Sequence, residues 1–266
     1  PRPVRSKPPE EIRAELEALA ANGYREAVLV GINLSSYGKD LGLRLIDAVE
    51  LACSVEGISR VRLGSLEPEL LTGEDIRRMA AQEKFCPQFH LSLQSGCYRT
   101  LRAMNRHYDA AEYARIASDI RRAFGNPSLT TDVMVGFAGE TEEDFCQSLA
   151  FVREMAFAKV HVFAYSRREG TAAAKRPDQV PEAVKEERSR RMIAAAEESR
   201  QEFLRRQLGR VEVVLVETTN APLGYVGFNK NYTPVYVSCG PEACGKVCKV
   251  RLEAVLDGHC IGTLES

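Results

Sequence analysis

Sixteen residues, Thr130 to Phe145 (TTDVMVGFAGETEEDF), constrain this chain more than any other stretch. Asp132-Val133-Met134-Val135 reads as a short apolar strand. Gly136 and Gly139 permit a tight turn in which the backbone can approach a ligand with no Cβ in the way. A helix then begins, with Thr141 as N-cap and Asp144 three residues on, the reciprocal pattern that satisfies amides at a helix start. A strand feeding a helix through a glycine turn is the repeating unit of parallel α/β folds. On its own, an ordinary βα turn accounts for it as well as a ligand site does.

Five short apolar runs, beginning near Ala27, Val61, Phe89, Thr131 and Val160, are each followed by a helical pattern. Strands alternating with helices at intervals of roughly 30 residues predict a parallel sheet with right-handed crossovers, wound either as an open doubly wound sheet or as a barrel. Pro8-Pro9-Glu10-Glu11 opens a helix to Ala21, with proline and acids in its first turn and Gly23 past its end. Thr72 and Asp75 repeat the capping pattern, and Asp109 leads into a helix through Phe124. After Pro177 and Pro181, Glu182 to Leu208 reads as one long helix bridging two domains. Beyond Gly209 the period changes to two: Cys248, Val250, Leu252 and Ala254 alternate with Lys249, Arg251 and Glu253, as in a half-buried antiparallel strand. Runs at 211–216, 235–237, 247–255 and 260–264 predict a small β-barrel.

At 266 residues the chain exceeds one ordinary domain, and a net charge of −1 gives no overall argument for nucleic acid. Charge is uneven, however. Residues 99–122 carry six arginines against Asp109, Glu112 and Asp119. The eight cysteines are scattered, which suits reduced thiols in the cytoplasm better than a disulfide framework. No run is long and apolar enough to span a membrane, so no membrane partner is expected. Cys244 and Cys248 lack a third cysteine at ligating spacing, and Cys53, Cys86, Cys97 and Cys146 read as packing residues, so no metal site is expected.

Ligands of a parallel barrel gather where the strands end, because the βα loops converge there. Here those ends are polar: Gly31 to Gly38 (GINLSSYG), Ser65 to Pro68, Gln94-Ser95-Gly96 and Tyr165-Ser166. Any one of these is more readily a turn or cap than a ligand, but four aimed at one mouth exceed what stability requires.

Together, GINLSSYG, SLEPELLT (65–72), HLSLQSGC (90–97), MNRHY (104–108), TTDVMVGFAGETEEDF and HVFAYSRREGTAAA (161–174) resemble the radical-SAM methylthiotransferases. The resemblance is to the branch acting on threonylcarbamoyl-adenosine beside the tRNA anticodon. GYVGFNKNYTPVYV (224–237) and the closing Gly258-His259-Cys260-Ile261-Gly262 resemble that family's TRAM domain, an RNA-binding β-barrel. The fold implied is a partial radical-SAM (TIM-like) parallel β/α barrel over 1–208, followed by a small all-β TRAM barrel over 209–266. The family's Cys-x-x-x-Cys-x-x-Cys loop, which holds a 4Fe-4S cluster, has no counterpart here. RPVRSKPPEE (2–11) looks like the segment just after it, so the chain is expected to start downstream of the first strand and the cluster. Ala138, Tyr98, Arg167 and Ala172 depart from the family pattern.

The resemblance implies S-adenosylmethionine and 4Fe-4S clusters as cofactors, with cofactor contacts at Asn33, Ser35, Glu67, Gln94, Asp132, Gly136, Gly139 and Glu140. It implies the tRNA anticodon arm as partner, gripped by Phe228, Lys230 and Tyr232 in a loop spanning 227–232. Lys39, Arg167 and Arg168 would meet the carboxylate of a threonylcarbamoyl group. A reductant protein and a sulfur donor are implied but not identified. Three other readings remain open: isopentenyl-adenosine as the tRNA substrate, whose apolar tail needs an apolar pocket, the sister enzyme modifying a ribosomal-protein aspartate, and a non-catalytic RNA-binding remnant.

Overall fold

The computed structural model describes residues 3–220 and 224–265. Arg2, the first residue of the segment resembling the post-cluster stretch, lies outside them. The first helix, α1 (Pro9–Ala21), precedes β1 (Glu26–Leu29), α2 (Leu45–Ser54), β2 (Arg60–Leu63), a two-residue β3 (Ser65–Leu66) and α3 (Gly73–Ala80). Then come β4 (Gln88–Leu91), α4 (Tyr98–Ala103), α5 (Ala110–Phe124), β5 (Ser128–Val135), α6 (Glu142–Met155), β6 (Lys159–Ala164) and α7 (Glu182–Arg205).

β1 pairs with β2, and β3, β4, β5 and β6 pair in that order, every pairing parallel. The Val61 amide donates to Lys84 O and the Cys86 amide to Val61 O, both at 2.9 Å, tying the two sheets into one curved wall. Neighbours in the sequence are neighbours in the wall. A doubly wound sheet reverses its strand order midway, so this succession selects the barrel winding over the open alternative.

Alternate residues of each strand face the helices. Val61, Leu63, Phe89, Leu91, Val133 and Val135 are all buried there, against Val49, Ile76, Tyr113 and Phe145 among others. The helix starts follow from their caps. Thr141 Oγ1 accepts from the Asp144 amide at 3.2 Å while Asp144 Oδ2 accepts from the Thr141 amide at 2.8 Å. Thr72 and Asp75 do the same for α3, and Asp109 caps α5.

Five strands, β7 (Val211–Asn220), β8 (Gly224–Asn229), β9 (Pro234–Ser238), β10 (Val247–Leu256) and β11 (His259–Leu264), close into a small barrel in the order β10-β11-β9-β8-β7. Two expectations need correction here. Residues 227–229 belong to a strand, not to a loop. Glycine dilutes the strand signal of β8, yet Gly227 is needed there, because a Cβ would stand 2.3 Å from Leu215 O. In β10 a bulge between Leu252 and Ala254 shifts the register, so Ala254 faces solvent and Val255 turns inward.

Helix α7 ends three residues short of the expected Leu208 and serves both bodies. Met192 and Ala195 join the core of the wall, whereas Phe203 and Leu204 join that of the small barrel. Among the described residues no helix is long and apolar enough to cross a membrane.

Candidate functional site

The carboxyl ends of the strands form the mouth of the wall. After β1 the chain makes a short 3-10 turn (Leu34–Ser36) with Asn33 exposed at its start. Ser35 Oγ accepts from the Glu67 amide at 2.9 Å, joining the ends of β1 and β3. The Glu67 carboxylate stays about one-third exposed, 3.3 Å from Arg106 Nη1. Arg106, within the MNRHY stretch, was not singled out among the site residues.

Gln94 is held in the left-handed region at φ 66°. Its amide donates to Asp132 O and its carbonyl accepts from the Met134 amide, both at 2.8 Å. A non-glycine residue in this conformation stores of order 1–3 kcal/mol of strain, and such strain collects at ligand sites. The pinned backbone fixes the half-buried Gln94 just past the end of β4. Asn33, Ser35, Glu67 and Gln94 therefore offer amide, hydroxyl and carboxylate groups at adjoining strand ends. That donor and acceptor set suits the amino-acid and ribose moieties of S-adenosylmethionine.

The glycine turn packs closely against the rest of the chain. Gly136 and Gly139 have positive φ, 71° and 80°, but the space a Cβ would take belongs to the protein. It would stand 2.4 Å from Lys185 Cγ at Gly136, and under 3 Å from the Arg176 and Asp178 side chains at Gly139. The turn's amides are committed as well: Gly136 N–H donates to Glu140 Oε2 at 2.7 Å and Gly139 N–H to Asp178 O at 2.8 Å. Glu140, its side chain 1% exposed, accepts from Arg188 Nη1 at 2.9 Å. Burial pushes the Glu140 carboxyl above its ordinary range, against the Gly136 amide and Arg188, which lower it. These three residues bind the turn to α7 and the segment before it.

Asp144 is held well below the usual carboxylate range. Burial works the other way, but bonds from Arg99 and Thr141 outweigh it. Asp132 faces the concave side of the wall, where His90 Nε2 lies 3.4 Å from its Oδ2. Lys39, Arg167 and Arg168 are exposed. Arg167 donates to Ala174 O at 2.7 Å, folding back on its own loop.

Phe228, Lys230 and Tyr232 lie at the opposite, amino end of the strands. Arg60 and Arg62, first and third residues of β2, donate to the carbonyls of Phe228, Asn229, Lys230 and Val213 at 2.6–2.9 Å. Arg62 also holds Glu26 at 2.7 Å and places its guanidinium 4.8 Å from the Tyr232 ring centroid. Phe228 and Tyr232 stack at 4.4 Å, and Lys230 Nζ donates to Glu83 O at 2.6 Å. Asn231 donates to Asn126 O at 3.2 Å. This hairpin tip is the fastening between the two bodies. Its three expected RNA contacts have partners within the chain, and Tyr232 keeps 48% of its surface exposed.

Among the described residues no three His, Cys, Asp or Glu side chains converge to hold a metal. The described residues therefore offer no ligand set that fits an iron-sulfur cluster.

A model of the radical SAM superfamily matches residues 1–152, and the chain belongs to that superfamily. A tRNA-2-methylthio-N(6)-dimethylallyladenosine synthase of Caldicellulosiruptor saccharolyticus is 39% identical over 93% of this chain and 53% of its own length. A synthase of the same name from Clostridium botulinum is 41% identical over 81% of this chain and 48% of its own. The threonylcarbamoyladenosine tRNA methylthiotransferase MtaB of Bacillus subtilis is 35% identical over 94% and 56%. The chain is thus homologous to tRNA methylthiotransferases and spans about half the length of the curated relatives it matches. A solved coproporphyrinogen III oxidase from Escherichia coli, a radical SAM enzyme, shares the fold with TM-score 0.55 at 14% identity, over 92% of this chain and 60% of its own.

Proposed function

We propose that the chain is the catalytic and RNA-binding part of a tRNA methylthiotransferase, adding a methylthio group at carbon 2 of an N6-modified adenosine beside the anticodon. In this reading residues 1–208 are the radical-SAM unit and 209–266 a TRAM-like barrel gripping the anticodon arm. The observation that carries it is the strained Gln94, pinned at the mouth beside the ends of β1 and β3 in a chain homologous to such enzymes. S-adenosylmethionine would rest on Asn33, Ser35, Glu67 and Gln94. Bound there and given one electron by an external reductant, it would supply the family's radical chemistry, with methionine as the leaving group. The chain's own part is to orient the base, exclude water and keep the cofactor's polar groups paired.

SLEPELLT and HLSLQSGC favour tRNA over a ribosomal protein, and the N6 substituent is threonylcarbamoyl in the reading that the exposed Lys39, Arg167 and Arg168 support, as cations able to meet its carboxylate. The dimethylallyl substituent is the second reading, favoured by the relatives at 39% and 41% identity. The two separate by experiment. The gene product, prepared anaerobically with S-adenosylmethionine, reductant and sulfide, is given tRNA bearing one modification or the other, and the nucleosides are resolved by mass spectrometry. A methylthio product from threonylcarbamoyl-adenosine alone is expected. Product from dimethylallyl-adenosine alone assigns the second reading, and product from neither, in a preparation whose 4Fe-4S content has been verified by iron analysis, refutes both.

A further inference from the structure

On the concave face of β4, β5 and β6, His90 stands opposite Thr130, and His161 stands opposite Asp132. Strand alternation turns Thr131 and Val133 to the helices and leaves these four toward the open side. His90 is fixed by β5: its Nδ1 lies 3.0 Å from Thr130 Oγ1 and its Nε2 lies 3.4 Å from Asp132 Oδ2. The His161 ring centroid is 6.0 Å from that of His90. Among the described residues, no hydrogen bond reaches either nitrogen of His161.

One step toward the mouth on the same face, Met134 pairs with Phe163, a residue 51% exposed. Residues two apart on a strand lie about 6.5–7 Å apart, close to the width of a nucleobase. Burial lowers the affinity of His161 for a proton, as do Lys159 and His90, while Asp132 opposes them. The imidazole is neutral at pH 7, with one nitrogen to donate and one to accept.

A flat aromatic surface next to an acceptor and a donor is what recognition of an unstacked base requires. We propose that this patch seats an adenine base: Phe163 meets its face, His161 donates to a ring nitrogen, and Asp132, oriented by His90, accepts the N6 hydrogen. An adenine edge presents a donor beside an acceptor, and a single N6 substituent leaves one N–H in place. Uracil presents the reverse pattern. The proposal rests on the tRNA reading for its source of base, and it concerns only the chain's own side chains.

The chain has four histidines, His90, His107, His161 and His259, so its imidazole nitrogens can be followed individually by 15N NMR. His259, stacked on Tyr236 in the small barrel, is the internal control. Titration with N6-methyladenosine should move His161 saturably and His90 less, leave His259 still, and give no response with uridine. Phe163→Ala and Asp132→Asn should each weaken the binding read at His161 about tenfold, and the conservative His161→Gln should weaken the binding read at His90 by as much, with unchanged circular dichroism showing that the fold is kept. A silent His161, an equal response to uridine, or movement confined to His259 overturns the proposal. Because the probe is a free nucleoside, a saturable shift at His161 sustains the base seat even if no tRNA is modified. Failure of the tRNA reading would thus be seen separately.

Discussion

At the carboxyl end of the parallel wall, Asn33, Glu67 and Gln94 keep polar groups toward open space. At the amino end, Arg60 and Arg62, only 1% and 2% exposed, commit their guanidiniums to the small barrel's carbonyls and to Glu26. One sheet therefore has an end that retains hydrogen-bonding capacity for a ligand and an end that uses it to hold a second body. The general lesson is that residue type does not separate the two uses. Whether a buried charge finds its partner inside the chain does.

The largest expected effect lies at the open end, where Arg188 anchors the glycine turn. Arg188→Ala leaves the Glu140 carboxylate enclosed with the Gly136 amide alone, a loss of about 3–5 kcal/mol. Urea unfolding followed by circular dichroism measures it. Glu140→Gln, which keeps an acceptor for Gly136, should cost clearly less. Equal losses would mean that the turn is held by packing and not by the pair.

At the closed end, Arg62→Ala removes donors from two carbonyls and a cation from Glu26, a loss of about 3 kcal/mol. The junction should loosen before either body unfolds. Trypsin should then cut faster at the exposed Arg205, Arg206 and Arg210, releasing the small barrel. An unchanged cleavage rate would show that Phe203 and Leu204 hold the bodies together without the arginines.

The two ends were unequally legible in the sequence. Helix starts at Thr72, Asp109 and Thr141 could be placed because a cap involves residues three apart. The strand ends could be placed because apolar runs stop where loops begin. Arg60 and Arg62 gave no such signal, since their partners at Phe228 and Asn229 lie more than 160 residues away. The packing at Gly136 was hidden for the same reason: the side chain that fills the space of its missing Cβ is Lys185, on a helix whose packing no local pattern reports. His90 and His161 passed unnoticed because they face each other only through the register of β4, β5 and β6.

A smaller effect tests whether the two cores behave alike. Burial pushes the Cys53 thiol up to about 11 and the Cys260 thiol up to about 12, from an ordinary 9.0. Unfolded thiols ionise near pH 9 while the folded ones stay protonated. The stability they contribute is therefore complete below pH 9 and lost as pH rises toward 11 and 12. By pH 10 the loss is about 1.4 kcal/mol per thiol. Comparing the protein with Cys53→Ala and Cys260→Ala at pH 8 and pH 10 isolates each share. A variant that keeps the full pH dependence would show that its thiol is already solvated.

The smallest effect is the most discriminating, because it falls on a side chain that either end of the comparison could claim. Tyr232 stacks on Phe228 at 14° between ring planes and receives the Arg62 guanidinium, yet nearly half of its surface is free. If its work is to fasten the junction, Tyr232→Ala lowers stability by about 1 kcal/mol through the lost ring pair and cation contact. The affinity of the chain for an anticodon stem-loop then changes less than twofold. If the ring stacks on a splayed base, stability holds and binding weakens by roughly 1–3 kcal/mol. Urea unfolding and fluorescence anisotropy on the same preparation give both numbers. The internal partners of Tyr232 favour the first outcome, because a base stacking on this ring would have to displace contacts the chain already makes with Arg62 and Phe228.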